Sequence, residues 1–308
     1  MEINNTNDLK MKNIFLFVVL LLFGMFTLPN CRQGFQLKPK YHLSEKQKMY
    51  WYENKAEINS YALIQARYGE TRKGKAVMVF VTEPFSPRSF TKADFFKRSN
   101  IPVLKLNYTK NFETGIYPYS MMASTFFPVD GSSSSVKITA SCQEWCGHTF
   151  VEMKNRGTLI FDVFSYFEGE NQRNKVRNAI PEDDIWSMIR LFPDKLPLGD
   201  VSMVPPMFYL RLMHKDTKAY NCKTTIKKEN ERTQYILYYP ELDRKMTMVF
   251  ENNFPYRILE WYEEYADGFG QKAQKLITSG KLLKSHKSAY WHQNGHQYVY
   301  LRDSLKVK

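Results

Sequence analysis

Along most of this chain, apolar and polar residues change places at every second position. Val136, Ile138, Ala140 and Cys142 alternate with Lys137, Thr139 and Ser141, which is the signature of a strand with one buried face. Similar β-prone runs cover 58–68, 76–82, 103–109, 116–127, 136–153 and 158–168. They continue over 207–213, 220–226, 235–239, 246–250 and 256–265, with Gly, Asn and Asp between them. A polar loop is expected at 69–74. The pair 288–293 and 296–301 flanks Asn294-Gly295, a strong hairpin signal. One helix interrupts the pattern: Pro181-Glu182-Asp183-Asp184 starts it, Ile185, Trp186, Ile189 and Phe192 share a side, and Pro193 stops it. The expectation is a mainly β protein, a meandering antiparallel sheet that is curved or partly closed into a barrel, with one or two inserted helices. It fills a single β-rich domain over 51–308.

The first residues follow another pattern. Lys12 precedes an apolar run over 14–26, and Leu28-Pro29-Asn30-Cys31 ends it. That run falls well short of the roughly 20 residues that a membrane-spanning helix needs. The segment 1–30 therefore reads as an export signal, Cys31 as a lipid-attachment site, and 31–50 as a polar tether, with plain secretion and an uncleaved anchor as the alternatives. Such a protein is exported and anchored in the cell envelope, on the periplasmic face of the outer membrane.

Charge then selects partners. There are 44 Lys and Arg against 31 Asp and Glu, a net charge of +13. In an exported protein this balance fits anionic lipid or cell-wall polymer, and not nucleic acid. The richest basic stretch, 272–287, is interrupted by Leu276, Ile277, Leu282 and Leu283, as in a folded amphipathic segment. With 20 Tyr and 22 Phe, and strands such as 159–167 apolar on both faces, the sheet either packs a filled core or lines an apolar ligand groove.

Candidate chemistry concentrates in Ser141-Cys142-Gln143-Glu144-Trp145-Cys146-Gly147-His148. Alternation is lost after Cys142, so a bulge or bend is expected over Gln143, Glu144, Trp145, Cys146 and Gly147, with the cysteine and tryptophan buried in it. As an enzyme, the site would use Cys146 as nucleophile with His148 and Glu144 around it. On an unbent strand His148 stands about 7 Å from Cys146, beyond a direct hydrogen bond. Ligands strung along one strand cannot converge on an ion, so neither a metal site nor a cofactor is expected. Cys222 is the expected disulfide partner of Cys142 or Cys146, because an extended 142–146 segment is too long for a bridge within it. His292 and His296 have helical zinc spacing, but the Asn294-Gly295 turn puts them on opposite faces. Ser89-Phe90-Thr91-Lys92 copies a penicillin-binding nucleophile motif without its Lys-Thr-Gly partner.

Gly115-Ile116-Tyr117-Pro118-Tyr119-Ser120-Met121-Met122, followed by Gln143 to Gly147, resembles a family of envelope lipoproteins of Bacteroidetes-type bacteria, over about 51–302. Members often carry the name septum formation inhibitor Maf. Proteins properly so named are nucleotide pyrophosphatases with a Ser-x-Arg-Arg motif. The nearest approach here is Ser86-Pro87-Arg88-Ser89, so no catalytic role carries over. The sequence points to an anchored envelope protein that binds or carries an apolar ligand or scaffolds an assembly. A cysteine-dependent enzyme at Cys146 is the alternative, and a nucleotide pyrophosphatase the remote one.

Overall fold

The computed structural model describes residues 40–95 and 97–307. The export segment, Cys31 and the first part of the expected tether lie outside the described residues. From Lys40 onward the expected tether is part of the fold. Helix α1 (Glu45–Trp51) opens with a capping box, in which Gln47 N–H donates to the Ser44 hydroxyl and Ser44 N–H to the Gln47 side chain. It buries Trp51 and ties itself to the interior through a bond from Gln47 Nε2 to the Leu191 carbonyl, 2.7 Å long.

Sixteen strands follow: β1 (Ala56–Arg67), β2 (Glu70–Ser86), β3 (Thr91–Lys92), β4 (Ile101–Thr114), β5 (Tyr117–Pro128), β6 (Lys137–Glu144), β7 (Gly147–Asn155), β8 (Leu159–Phe164), β9 (Gln172–Val176), β10 (Ile180–Pro181), β11 (Gly199–Val204), β12 (Tyr220–Glu229), β13 (Arg232–Tyr239), β14 (Arg244–Glu251), β15 (Ile258–Asp267) and β16 (Gln274–Ser288). Helices α2 (Ile185–Leu191) and α3 (Met207–Leu212) interrupt them, and α4 (Leu301–Ser304) follows β16.

The protein is mainly β, as its alternation predicts, and all sixteen strands belong to one sheet. The order is β10-β11-β12-β13-β14-β15-β16-β1-β2-β4-β5-β6-β7-β8-β9, with β3 paired to β2. Pairing is antiparallel throughout except for the two-residue β10–β11 contact. The last strand lies beside the first, Ala56 opposite Ser288. The meander is thus joined where the strand series begins and ends, and left unjoined in its middle. No ladder among the described residues links β9 to β10, so the sheet is not closed into a barrel. Laid flat at the usual strand spacing, such a path would be roughly 70 Å wide. Yet β9 and β10 are separated only by residues 177–179. A link of that length reaches about 14 Å at most. The sheet must therefore curl until its two edges nearly meet.

The two helices fill the curl. Trp261 of β15 and Tyr108 of β4 stand four strands apart along the sheet, yet their ring centroids are 5.8 Å apart, and Trp186 of α2 touches both. A Cβ on Gly280 would lie 2.0 Å from the Trp261 ring, so only glycine lets the indole lie flat on β16. Two buried arginines clamp this plug to the wall. Arg190 of α2 grips Glu57 of β1 with both ends of its guanidinium, one bond 2.7 Å long. Arg244 of β14 holds Glu182, just before α2, at 2.6 and 2.8 Å, and reaches Glu263 at 2.8 Å. Burial works against ionising Glu57, but the Arg190 charge and its hydrogen bonds prevail and hold the carboxyl down at about 2. Asp183 and Asp184 have no such partner, and burial pushes them up to about 7 and about 6.

Several elements differ from expectation. Polar 70–74 continues β2, and the turn is Tyr68-Gly69 alone. Segment 207–213 is helical in its first six residues, following Pro205-Pro206. No strand pair forms around Asn294-Gly295, which lies between two 3-10 turns. Strand β16 already has β15 and β1 on its two sides, so a hairpin after Ser288 has no edge to join. The basic 272–287 stretch, by contrast, is folded as expected, most of it in strand β16.

Candidate functional site

Because strands alternate in direction, the turns after β1, β4, β6 and β8 gather at one end of the sheet, here called the far end. The turn after β6 is Trp145-Cys146, so the expected bend within one long strand is a two-residue hairpin instead. Gln143 faces His148 and Glu144 faces Gly147 across it. A turn has no inner face, so Trp145 is 69% exposed and Cys146 is exposed, and neither is buried as expected. Trp145 stacks at 6.2 Å on Tyr117, its neighbour from the β4–β5 hairpin. Cys142, on the inner face of β6, is buried.

All three described cysteines are free. The expected bridge from Cys222 to Cys142 or Cys146 is absent because Cys222 sits on β12, in the other half of the sheet, with its thiol among Tyr239, Glu182 and Arg244. Burial pushes Cys142 up to about 11 and Cys222 up to about 12. Cys146 is raised as well, first by its hydrogen bond to Glu144 and then by that carboxylate's charge. The Glu144 carboxylate also accepts the Cys146 backbone N–H at 2.7 Å. This surrounding disfavours a thiolate, the reverse of what a cysteine nucleophile needs. Glu144 therefore acts on Cys146 as a turn former, while His148 faces Gln143 across the hairpin. Among the described residues, no group of three or more His, Cys, Asp or Glu is placed to hold a metal ion. His292 and His296 occupy separate 3-10 turns.

The hairpin does stand beside a pocket. Tyr166 lies over Gly147, where a Cβ would be 2.4 Å from the ring, and its neighbour Phe167 lies 4.5 Å beneath the Arg211 guanidinium. Arg211, at the end of α3, lines a cavity of about 110 Å³ between β7–β9 and the chain from Met207 to Thr217. Its buried lining combines Val151, Met207 and Leu210 with Thr149 and Thr217, and its more exposed residues include Arg211, His214, Lys215, Glu170 and Asp216. This is the region where the sheet fails to close.

Side chains replace the missing ladder there. Arg211 Nε donates to Thr149 Oγ1 at 2.9 Å and Asn174 Nδ2 to the Thr217 carbonyl at 3.0 Å, while Arg67 Nη1 of central β1 ties the end of α3 to the opposite wall through the Leu212 carbonyl at 2.7 Å. His214 Nδ1 pairs with Glu170. Burial works against the Glu170 charge, but bonds from His214 and Ser165 hold its carboxyl below the ordinary range. One donor is left over: Arg211 Nη1 is buried without a hydrogen-bond partner. A buried cationic donor without an acceptor costs on the order of 1–3 kcal/mol or more, so the site is built one acceptor short.

The sequence leads to this region through Cys146, whereas Arg211 and Thr149 line the pocket and Gly147 seats Tyr166 beside it. Arg211 carries no local signal, since α3 reads as a strand. Gly147 sits inside the motif, but its partner Tyr166 is nineteen positions away. No family model matches the chain, and no curated protein matches it.

Proposed function

We propose that this is an exported, lipid-anchored envelope protein that binds or carries an amphiphile, an apolar tail with an anionic head, admitted where the sheet is unjoined. The observation that carries the reading is the pocket at that seam, lined in part by Val151, Met207 and Leu210, and the Arg211 guanidinium in its wall, whose Nη1 is buried without a partner until an acceptor enters. A carboxylate or phosphate oxygen would supply the missing acceptor, and Lys215 adds charge of the right sign. At about 110 Å³ the cavity holds a head group and not a long tail. Carriage therefore requires α3 and the segment after it to move away from β7–β9, opening the floor toward the interior. Nothing around Cys146 favours the enzyme reading.

The test is mass spectrometry of full-length protein purified from native membranes, for acylation at Cys31 and for copurified amphiphile. Wild type should retain an anionic amphiphile, and Arg211→Ala should lose most of it while Cys31 acylation is unchanged. Equal retention by Arg211→Ala, or retention of neutral lipids only, contradicts the reading.

A further inference from the structure

The opposite end of the sheet carries a different device. Between β2 and β4 runs the segment 87–100, which contains Arg88, Lys92, Lys97 and Arg98 against a single acid, Asp94. All four cations are exposed, as are Lys40 and Arg156 beside them. Among the described residues none of the six takes part in an ion pair, and Glu152 and Glu83 close by are already paired with Lys137, Lys154 and Lys105. At the loop's tip Phe95 is 80% exposed.

This loop is built, not loose. Phe90 is buried in a small core of its own with Phe85, Val103 and Val136. Lys137 Nζ donates to the Phe90 carbonyl, and the Arg156 guanidinium lies 5.0 Å over its ring. Ala93 N–H donates to the Pro84 carbonyl at 2.9 Å, and Asn100 Nδ2 to the Phe95 carbonyl at 2.8 Å. A bulky apolar side chain thus stands exposed on a loop whose four cations are exposed too.

The first described residues pack at the same end. Lys40 and Tyr41 N–H both donate to the Asp130 carbonyl, and Val129 N–H donates to Pro102, which faces Pro84 in the β2–β4 ladder. Cys31, the proposed anchor, precedes Lys40 by nine residues in the sequence.

We infer that the 87–100 loop, with Lys40 and Arg156, docks on a bilayer surface containing anionic lipid, Phe95 entering the head-group region. The occupant follows from charge and from location. Six cations without an ion pair among the described residues match a negative surface, a projecting phenylalanine needs no complementary cleft, and the first described residue, Lys40, follows the proposed anchor by nine positions. The inference rests on the lipoprotein reading for its orientation. It adds a second attachment that fixes which end faces the membrane and leaves the seam pocket pointing away from it.

The experiment is limited trypsin digestion of the full acylated chain in vesicles of phosphatidylcholine, with or without phosphatidylglycerol, at low and high salt. Cleavage after Arg88, Lys92, Lys97 and Arg98 is scored against cleavage after Lys73 and Lys218 at the far end, which corrects for protease recruited to the vesicles. Loop cleavage should slow at least fivefold in anionic vesicles at low salt and recover at high salt. Phe95→Asp should abolish most of that protection. An unchanged loop-to-far-end ratio in all vesicles, with the chain still membrane-bound, overturns the docking surface alone. Release of the chain from both vesicle types by high salt removes the anchor reading instead, and low-salt protection still decides the patch.

Discussion

The centre of the sheet and its seam are built from the same alternating sequence and held in opposite ways. At the centre, β16, β1, β2, β4 and β5 are 12 to 17 residues long and pair along nearly their whole length. At the seam, β8, β9, β10 and β11 have 6, 5, 2 and 6 residues. A handful of side-chain bonds to the α3 segment bridges the gap. Backbone ladders open only together, whereas side-chain bridges open singly, so local stability should fall steeply from the centre to the seam. The half-plugged pocket lies where that stability is lowest.

The sharpest way to break this contrast is at the clamp that ties the plug to the centre. Glu57→Gln leaves Arg190 buried without its counter-charge and should cost about 3–5 kcal/mol in chemical denaturation. A negligible loss would mean that the plug is not held through the central ladder.

A smaller effect is expected from the plug's two buried aspartates. Asp183 and Asp184 have folded-state values raised above the ordinary Asp range, to about 7 and about 6. Their protonated forms favour the fold, so their contribution is complete below about pH 4 and lost as pH rises through 6 to 7. Glu57 has the opposite sign, since its depressed carboxyl supports the fold above about pH 4.5 and loses that support as pH falls toward 2. Asp183→Asn should therefore flatten the decline in stability between about pH 4.5 and 7.5, by up to a few kcal/mol. An identical pH profile in the variant would show that Asp183 is ionised throughout.

Next comes the seam itself. Asn174→Ala removes one bridge to Thr217 and should lower global stability by only about 1 kcal/mol, while amides of 213–219 exchange several-fold faster. A loss as large as that of Glu57→Gln would erase the distinction between the two regions. The smallest change belongs to Cys146→Ala. Its turn is exposed, and surface substitutions away from caps and cores seldom register, so the denaturation midpoint should stay where it is. A large loss would restore a structural role to that thiol.

How far the sequence can be read follows the same division. The central strands announce themselves, since Lys75 and Asn111 on one face of β2 and β4 alternate with Ala76 and Phe112 on or near the core. Their ends do not. Glu70 to Lys73 resemble a loop because they are polar, yet at the rim both faces of a strand can be wet and polarity no longer marks a turn. Asn294-Gly295 misleads because a hairpin signal is local, while the vacancy that a hairpin needs is a property of the whole sheet. The seam is illegible for a further reason. Arg211 meets Thr149, and Arg190 meets Glu57, across separations of 62 and 133 residues, and such pairings leave no periodic trace. Cys31 and its expected lipid stand where only the sequence speaks.

Native-state hydrogen exchange of the full-length protein tests the central contrast most directly. The amides of 172–176 and 207–219 should exchange at least tenfold faster than those of β1, β2 and β4, and should slow when a long-chain fatty acid is added. Uniform protection across both regions, or slowing at the central strands and not at the seam, would contradict it.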